Sequence, residues 1–205
     1  MTLYPLPLFP LNLVMFPEGL LPLRIFEMRY LDMVRSCLRN NSSFGVVAII
    51  VDAHSELKTD LPFAQVGTSF KIINVDVTEP GLMNIQCLGQ KRFNIRSAVQ
   101  QDDGLWLGEV EDIENETSMP IPDDLKMTQD YMKQLIESLS EQDIAKEYLP
   151  FIKPFKIDDC AWVANRWCEI LSIPLIQKQR LLELDSPLVR LELVQDLLLA
   201  EFSKK

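Results

Sequence analysis

Five prolines, Pro5, Pro7, Pro10, Pro17 and Pro22, punctuate an otherwise strongly apolar stretch at the start of this chain. Each proline removes a backbone donor and fixes φ, so neither a membrane helix nor a long central strand is expected to run through it. The expectation is a set of short extended pieces, with a turn at Phe16-Pro17-Glu18-Gly19 that leads into a helix. No apolar run approaches the roughly 20 residues that span a bilayer. No basic segment precedes the apolar one, so a secretory leader is not expected.

From Phe26 to about Asn40 the pattern reads as a helix with two adjoining apolar stripes: Met28, Leu31, Val34 and Leu38, then Phe26, Tyr30, Met33 and Cys37. Phe44 to Val51 lacks alternation and suits a strand covered on both faces. Residues 52–63 read as a loop. Val66 to Val77 and Leu82 to Leu88 form a hairpin around Glu79-Pro80-Gly81, with a bulge or two-sided burial near Ile73. Gly89 is expected to break the run. Arg92 to Ile95 and Leu105 to Ile113 are read as two further strands. At least five short strands and one helix predict a closed or nearly closed β-barrel.

Between Glu114 and Pro122 the composition turns acidic and proline-containing, which sets the expected boundary: residues 1–116, then 117–205. The second part reads as a helical bundle. Leu125, Tyr131, Leu135 and Leu139 mark one helix, and Ile144, Tyr148 and Leu149 a short second. Asp158 or Asp159 caps a third, along which Ala161, Ala164, Cys168 and Leu171 line a face. A fourth covers Ile176 to Leu184. Ser186-Pro187, a cap followed by proline at the first helical position, starts a fifth with Leu191, Val194, Leu198 and Phe202.

The net charge of −10 is uneven. Lys+Arg against Asp+Glu is 9 to 8 over residues 1–100, 3 to 14 over 101–150 and 8 to 8 over 151–205. The acidity thus lies wholly in the middle, opposite to the basic face that phosphate binding requires. An RNA-binding alternative rests on the basic trio Lys91, Arg92 and Arg96. The acid pairs Asp102-Asp103, Glu109 with Glu111, and Asp123-Asp124 read as solvated or helix-capping groups. Cys37, Cys87, Cys160 and Cys168 are too widely spaced for a zinc knuckle and read as buried thiols in a reducing cytoplasm. The single histidine, His54, has no nameable metal co-ligand and no nucleophile elbow, so metal binding and the small-hydrolase alternative have little to stand on. Neither GxxxxGK[ST] nor GxGxxG occurs, and no cofactor is expected. Trp162 and Trp167 read as core residues of the helical part, Trp162 helping to dock it.

A series of short ordered elements carries a family resemblance: Pro7-Leu8-Phe9-Pro10-Leu11, Phe16-Pro17 with Gly19, Leu21-Pro22-Leu23, Ile25-Phe26-Glu27 with Arg29-Tyr30, then Phe44-Gly45-Val46-Val47, Val66-Gly67-Thr68 and Gly89 with Arg92-Phe93. Lys178-Gln179, Leu181-Leu182-Glu183-Leu184, Pro187 and Arg190-Leu191-Glu192 continue it to the end. The chain resembles the Lon substrate-binding (Lon N-terminal) domain family, departing at Met28, where members commonly carry proline. The resemblance implies an α+β fold: a PUA-like β-barrel with one helix, followed by an α-helical bundle. It further implies a stand-alone, non-enzymatic module without the ATPase and protease parts of Lon. Such a module recognises proteins or unfolded polypeptides, as an adaptor or chaperone-like factor. The expected partner surface comprises apolar residues in predicted turns, Phe16, Leu61, Phe63 and Met83, and the acidic middle favours basic or neutral partners.

Overall fold

A computed structural model describes residues 2–50, 61–114, 116–141 and 151–203. The fold is α+β, in two compact units: residues 1–115 with 173–182, and residues 116–172 with 183–205. The sequence division placed 173–182 with the second part; the structure groups it with the strands. Among the described residues, no helix is long and apolar enough to cross a membrane.

In the first unit, β1 (Leu3–Leu11), β2 (Leu20–Ile25), β3 (Phe44–Ala48), β4 (Val66–Glu79), β5 (Leu82–Gln100) and β6 (Trp106–Asp112) form one sheet in the order β2-β5-β4-β3-β1-β6, and β6 also pairs with β5. Five strands are therefore joined in a ring of pairings, and β2 flanks it. The ring is possible because β5 is 19 residues long. Its first half, through Met83–Leu88, pairs with β2, and Phe93–Gln100 pairs with β6 on the same edge.

β1 is a nine-residue strand in the interior of the sheet order, against the expectation from its prolines. Stagger resolves the conflict. The Leu11 carbonyl accepts from the Ile49 amide at 2.8 Å, so the odd-numbered residues of β1 turn their backbone groups toward β3 and the even-numbered ones toward β6. β3 reaches back only to Gly45, opposite Leu8, while β6 reaches forward only to Trp106, opposite the same Leu8. The nitrogens of Pro5 and Pro7 point to the β3 side ahead of its first residue, Phe44, and that of Pro10 to the β6 side after its pairing ends. Each missing N–H falls where no strand would have received it.

Gly89 lies within β5 and does not end it. The β1–β2 turn crosses the strand here: Glu18 N–H donates to the Gly89 carbonyl and Gly89 N–H to the Gly19 carbonyl, both at 2.9 Å. A Cβ on Gly89 would stand 2.6 Å from the Phe16 carbonyl oxygen. The predicted irregularity near Ile73 is present as a register shift between Ile72 and Asn74.

Helix α1 (Met28–Asn40) buries Tyr30, Leu31, Met33, Val34 and Cys37 against the sheet core of Phe9, Ile25, Phe44, Phe70 and Cys87. Tyr30 stacks on Phe9 with ring centroids 4.0 Å apart. Asn41 ends the helix in the left-handed conformation, φ 48°, a role for which Asn is suited. A second core gathers Leu6, Leu8, Val47, Phe63, Phe93, Ile95 and Val110. The segment around α4 (Leu175–Glu183) is tied to the strands by the Gln179 amide, which donates to the Val66 carbonyl at 3.0 Å, and by buried Arg92, which donates to the Leu182 carbonyl at 2.8 Å.

In the second unit, a 3-10 turn at Asp123–Leu125 leads into α2 (Lys126–Glu141), followed by α3 (Cys160–Ile170) and α5 (Pro187–Phe202). Asp159 caps α3 by accepting from Trp162 N–H at 2.8 Å, and Ser186 caps α5 ahead of Pro187, as their sequence positions predict. Trp167 donates its indole N–H to the Thr128 carbonyl at 2.9 Å, fixing α3 on α2. Trp162 packs by its ring against Phe151 and Phe155. Fully buried Arg190 meets Glu116 at 2.5 Å, Asn165 at 2.9 Å and the Leu184 carbonyl at 2.5 Å, the multiple satisfaction a buried guanidinium requires. The helix predicted around Ile144, Tyr148 and Leu149 lies outside the described residues.

Candidate functional site

The four apolar residues expected at exposed turns do not form a surface. Phe16 and Phe63 are 0% and 1% exposed, and Met83 is buried in the α1-facing core opposite Ile25. Leu61 is partly buried against the second core. The physical reason is geometric: turns that cross a sheet place their apolar side chains inward. Phe63 meets Trp106 edge-on at 5.2 Å, and the Phe16 turn lies across Gly89.

A different apolar feature stands out at the corner between β2 and α1. Phe26 is 68% exposed and Met28 is 66% exposed, the two most exposed large apolar side chains among the described residues. The sequence pattern assigned both to helical stripes. The helix starts at Met28 with Glu27 as its N-cap, so Phe26 precedes it and escapes its phase. Leu31, which a residue at that position often staples, is already buried among core residues. The corner is braced. Arg29 donates to the Glu27 carboxylate at 2.6 Å and to the Gly104 carbonyl at 3.0 Å, and its guanidinium lies 4.7 Å over the Tyr30 ring. Gly104, at φ +83°, leaves room for that guanidinium, since a Cβ there would sit 2.9 Å from its nitrogen.

The comparisons with known proteins bear on what such a corner serves. A family model described as the ATP-dependent protease La (LON) substrate-binding domain matches residues 5–200. The chain belongs to this family. A Lon protease of Cytophaga hutchinsonii is 31% identical over 98 residues, 47% of this chain and 12% of that protein, so the match spans a small part of that relative. A crystal structure of a Lon N-terminal domain protein from Xanthomonas campestris superposes with a TM-score of 0.75 at 30% identity, covering 94% of this chain and 98% of that one. The N-terminal domain of a Mycobacterium avium complex Lon protease gives a TM-score of 0.62 at 15% identity over 95% and 97% of the two chains, a likeness of fold.

In this Lon substrate-binding domain the charged candidates are engaged in structure. Arg92 is buried; Arg96 donates to Glu111 at 2.8 and 2.5 Å; Lys91 lies 3.2 Å from Asp112. Arg92 thus offers no exposed charge, and the other two are each paired with a carboxylate. Asp103 accepts from Leu105 N–H within its turn, and Asp123 pairs with Lys126, which lowers the carboxyl and raises the ammonium pKa through their hydrogen bond. Among the described residues no three His, Cys, Asp or Glu groups converge as metal ligands; His54 lies outside them. All four cysteines are buried thiols outside any disulfide. Burial, with the Cys37 thiol adding to it, pushes Cys87 up to about 12, and burial first pushes Cys160 up to about 11. Thiols held protonated in this way are inert nucleophiles near neutral pH.

Proposed function

We propose that these 205 residues act as a non-enzymatic recognition module for proteins or unfolded polypeptides, in an adaptor or chaperone-like capacity, with the ring of strands serving as the PUA-like barrel of its family. Membership in a substrate-binding family supports the reading, and one observation carries it: two large apolar side chains, Phe26 and Met28, displayed on a corner that Arg29 holds rigid. A client that covers both gains roughly 1.5–3 kcal/mol per side chain before the costs of association. Two such anchors do not by themselves cover the cost of association, so further contacts along the client add to them.

The test is binding of the whole chain to a reduced, carboxymethylated and permanently unfolded protein, followed by fluorescence anisotropy. Phe26→Ser combined with Met28→Ser is expected to weaken binding about tenfold or more, on the scale of two exposed anchors. The circular dichroism spectrum should stay unchanged, because neither side chain is in the core. Undiminished binding by the folded double variant rejects the corner as the recognition surface.

A further inference from the structure

Helix α5 is apolar on the side it buries and again on the side it shows to solvent. Leu191, Val194 and Leu198 are buried, together with Arg190. Val189, 41% exposed, and Leu193, 42% exposed, stand on the opposite side. With partly buried Leu197 and exposed Ala200 they recur at i, i+4, i+8 and i+11. At 3.6 residues per turn that spacing makes a stripe about 80° wide. A surface helix ordinarily turns polar and charged groups outward here. The exposed charges that α5 does carry are all carboxylates. Glu192 and Asp196 run along one flank of the stripe, and Glu201 stands beyond Leu197 on the other.

We infer that the outer face of α5 docks a basic amphipathic helix of a partner protein. The apolar side chains of that helix pack on the stripe, and the Lys or Arg residues beside them meet Glu192, Asp196 and Glu201. The inference goes beyond the client-binding corner, since α5 belongs to the second unit and Phe26 and Met28 to the first. A second copy of this chain is a poor occupant. Its α5 brings no exposed cation to the seam, and in a two-fold antiparallel pair Glu192 and Asp196 of each copy face those of the other. A membrane is a poor occupant too. Helices that lie on bilayers carry Lys and Arg on their polar face, and anionic lipid repels one flanked by carboxylates. A basic helix supplies both the apolar face and the opposite charge, and the net charge of −10 draws it to the molecule.

The experiment is an NMR titration of the full chain with a blocked Leu/Lys peptide whose leucines recur at helical spacing. Two further peptides serve as controls: an isomer of the same composition with leucine and lysine alternating, and a helical Leu/Glu counterpart. The helical Leu/Lys probe is expected to shift the amides of Val189, Leu193 and Ala200 saturably. The alternating isomer carries the same charge without the apolar face and should bind about tenfold more weakly, as should the helical probe to Val189→Ser with Leu193→Ser. Glu192→Lys with Asp196→Lys should reverse the preference, so that the Leu/Glu peptide binds the tighter. Glu192→Gln with Asp196→Asn changes no side-chain size and should weaken the Leu/Lys probe about threefold, the scale of exposed ion pairs. All of these side chains are exposed, so circular dichroism should show the fold retained in every variant. Phe26→Ser with Met28→Ser should leave the titration unaltered. Equal binding of the two Leu/Lys isomers, shifts confined to residues outside α5, or an unreversed preference in the lysine variant overturns the inference. So does a dimer that Val189→Ser with Leu193→Ser dissociates in light scattering, which gives the face to a second copy. Sedimentation with anionic vesicles that the same variant abolishes gives it to a membrane and overturns the inference equally.

Discussion

At Gly89 the backbone of one turn rests on the backbone of a strand. The Phe16 carbonyl would lie 2.6 Å from a Cβ there, and both contacting groups are main chain, which no rotamer change can move aside. Gly89→Ala must therefore displace the Phe16–Gly19 turn or bend β5. The expected cost is about 2–3 kcal/mol, the upper range for overpacking, read as a lower urea midpoint at unchanged slope. At Gly81 a Cβ meets no atom within 4 Å, so alanine there should cost only the strain of φ +85°, about 1 kcal/mol. Position 89 shows why sequence reading stops short at this scale. A glycine inside an apolar run reads locally as a break; its function depends on a turn some seventy positions away. The same holds for Phe16 and Phe63, whose turns are visible in the sequence while the surface covering them is not. Phe26 failed in the other direction: its apolar character was evident, but the one-residue offset that frees it from the helix follows from where Glu27 begins the cap.

Secondary elements were more legible, because their signals are local. The Glu79-Pro80-Gly81 turn, the irregularity at Ile73, and the caps at Asp159 and Ser186 were each fixed by side-chain chemistry within a few positions, and each is present in the fold. β1 was misjudged, since the penalty for proline in a strand assumes neighbours along both edges for its whole length. Here the nitrogens of Pro5, Pro7 and Pro10 each point to the side on which no strand would receive an N–H, and the strand survives all three. The prolines also protect it. An edge without N–H groups is a poor template for another chain. Replacing Pro5 and Pro7 together by Ala restores two donors to that edge, and the variant is expected to self-associate at concentrations where the parent chain shows a single species. Light scattering coupled to gel filtration would register the shift. A variant as monodisperse as the parent at every concentration would mean that the prolines are tolerated in β1 without guarding its edge.

For the molecule as a whole, chain order and spatial grouping part company once. Residues 173–182 lie far along the chain in a run that reads as helical throughout, yet they group with the strands of residues 1–115. Helical periodicity reports that a segment has an apolar face but not which core receives it. The grouping rests on specific polar bonds: the Gln179 amide to the Val66 carbonyl, and the buried Arg92 guanidinium to the Leu182 carbonyl. A buried guanidinium deprived of an acceptor costs more than a neutral donor would, about 1.5–3 kcal/mol for one charged hydrogen bond. Because domains retain only about 5–15 kcal/mol in total, losing both bonds with the apolar contacts of Leu181 and Leu182 removes a large part of that margin. A fragment of residues 1–115 is therefore expected to give poorly dispersed NMR spectra by itself. Joining residues 173–184 to it through a flexible linker should restore dispersion and raise the urea midpoint, whereas the same linker carrying Gln179→Ala should restore less. A fragment 1–115 as stable as the whole chain would show that the strands close their core without this segment and that its place among them is incidental to their stability.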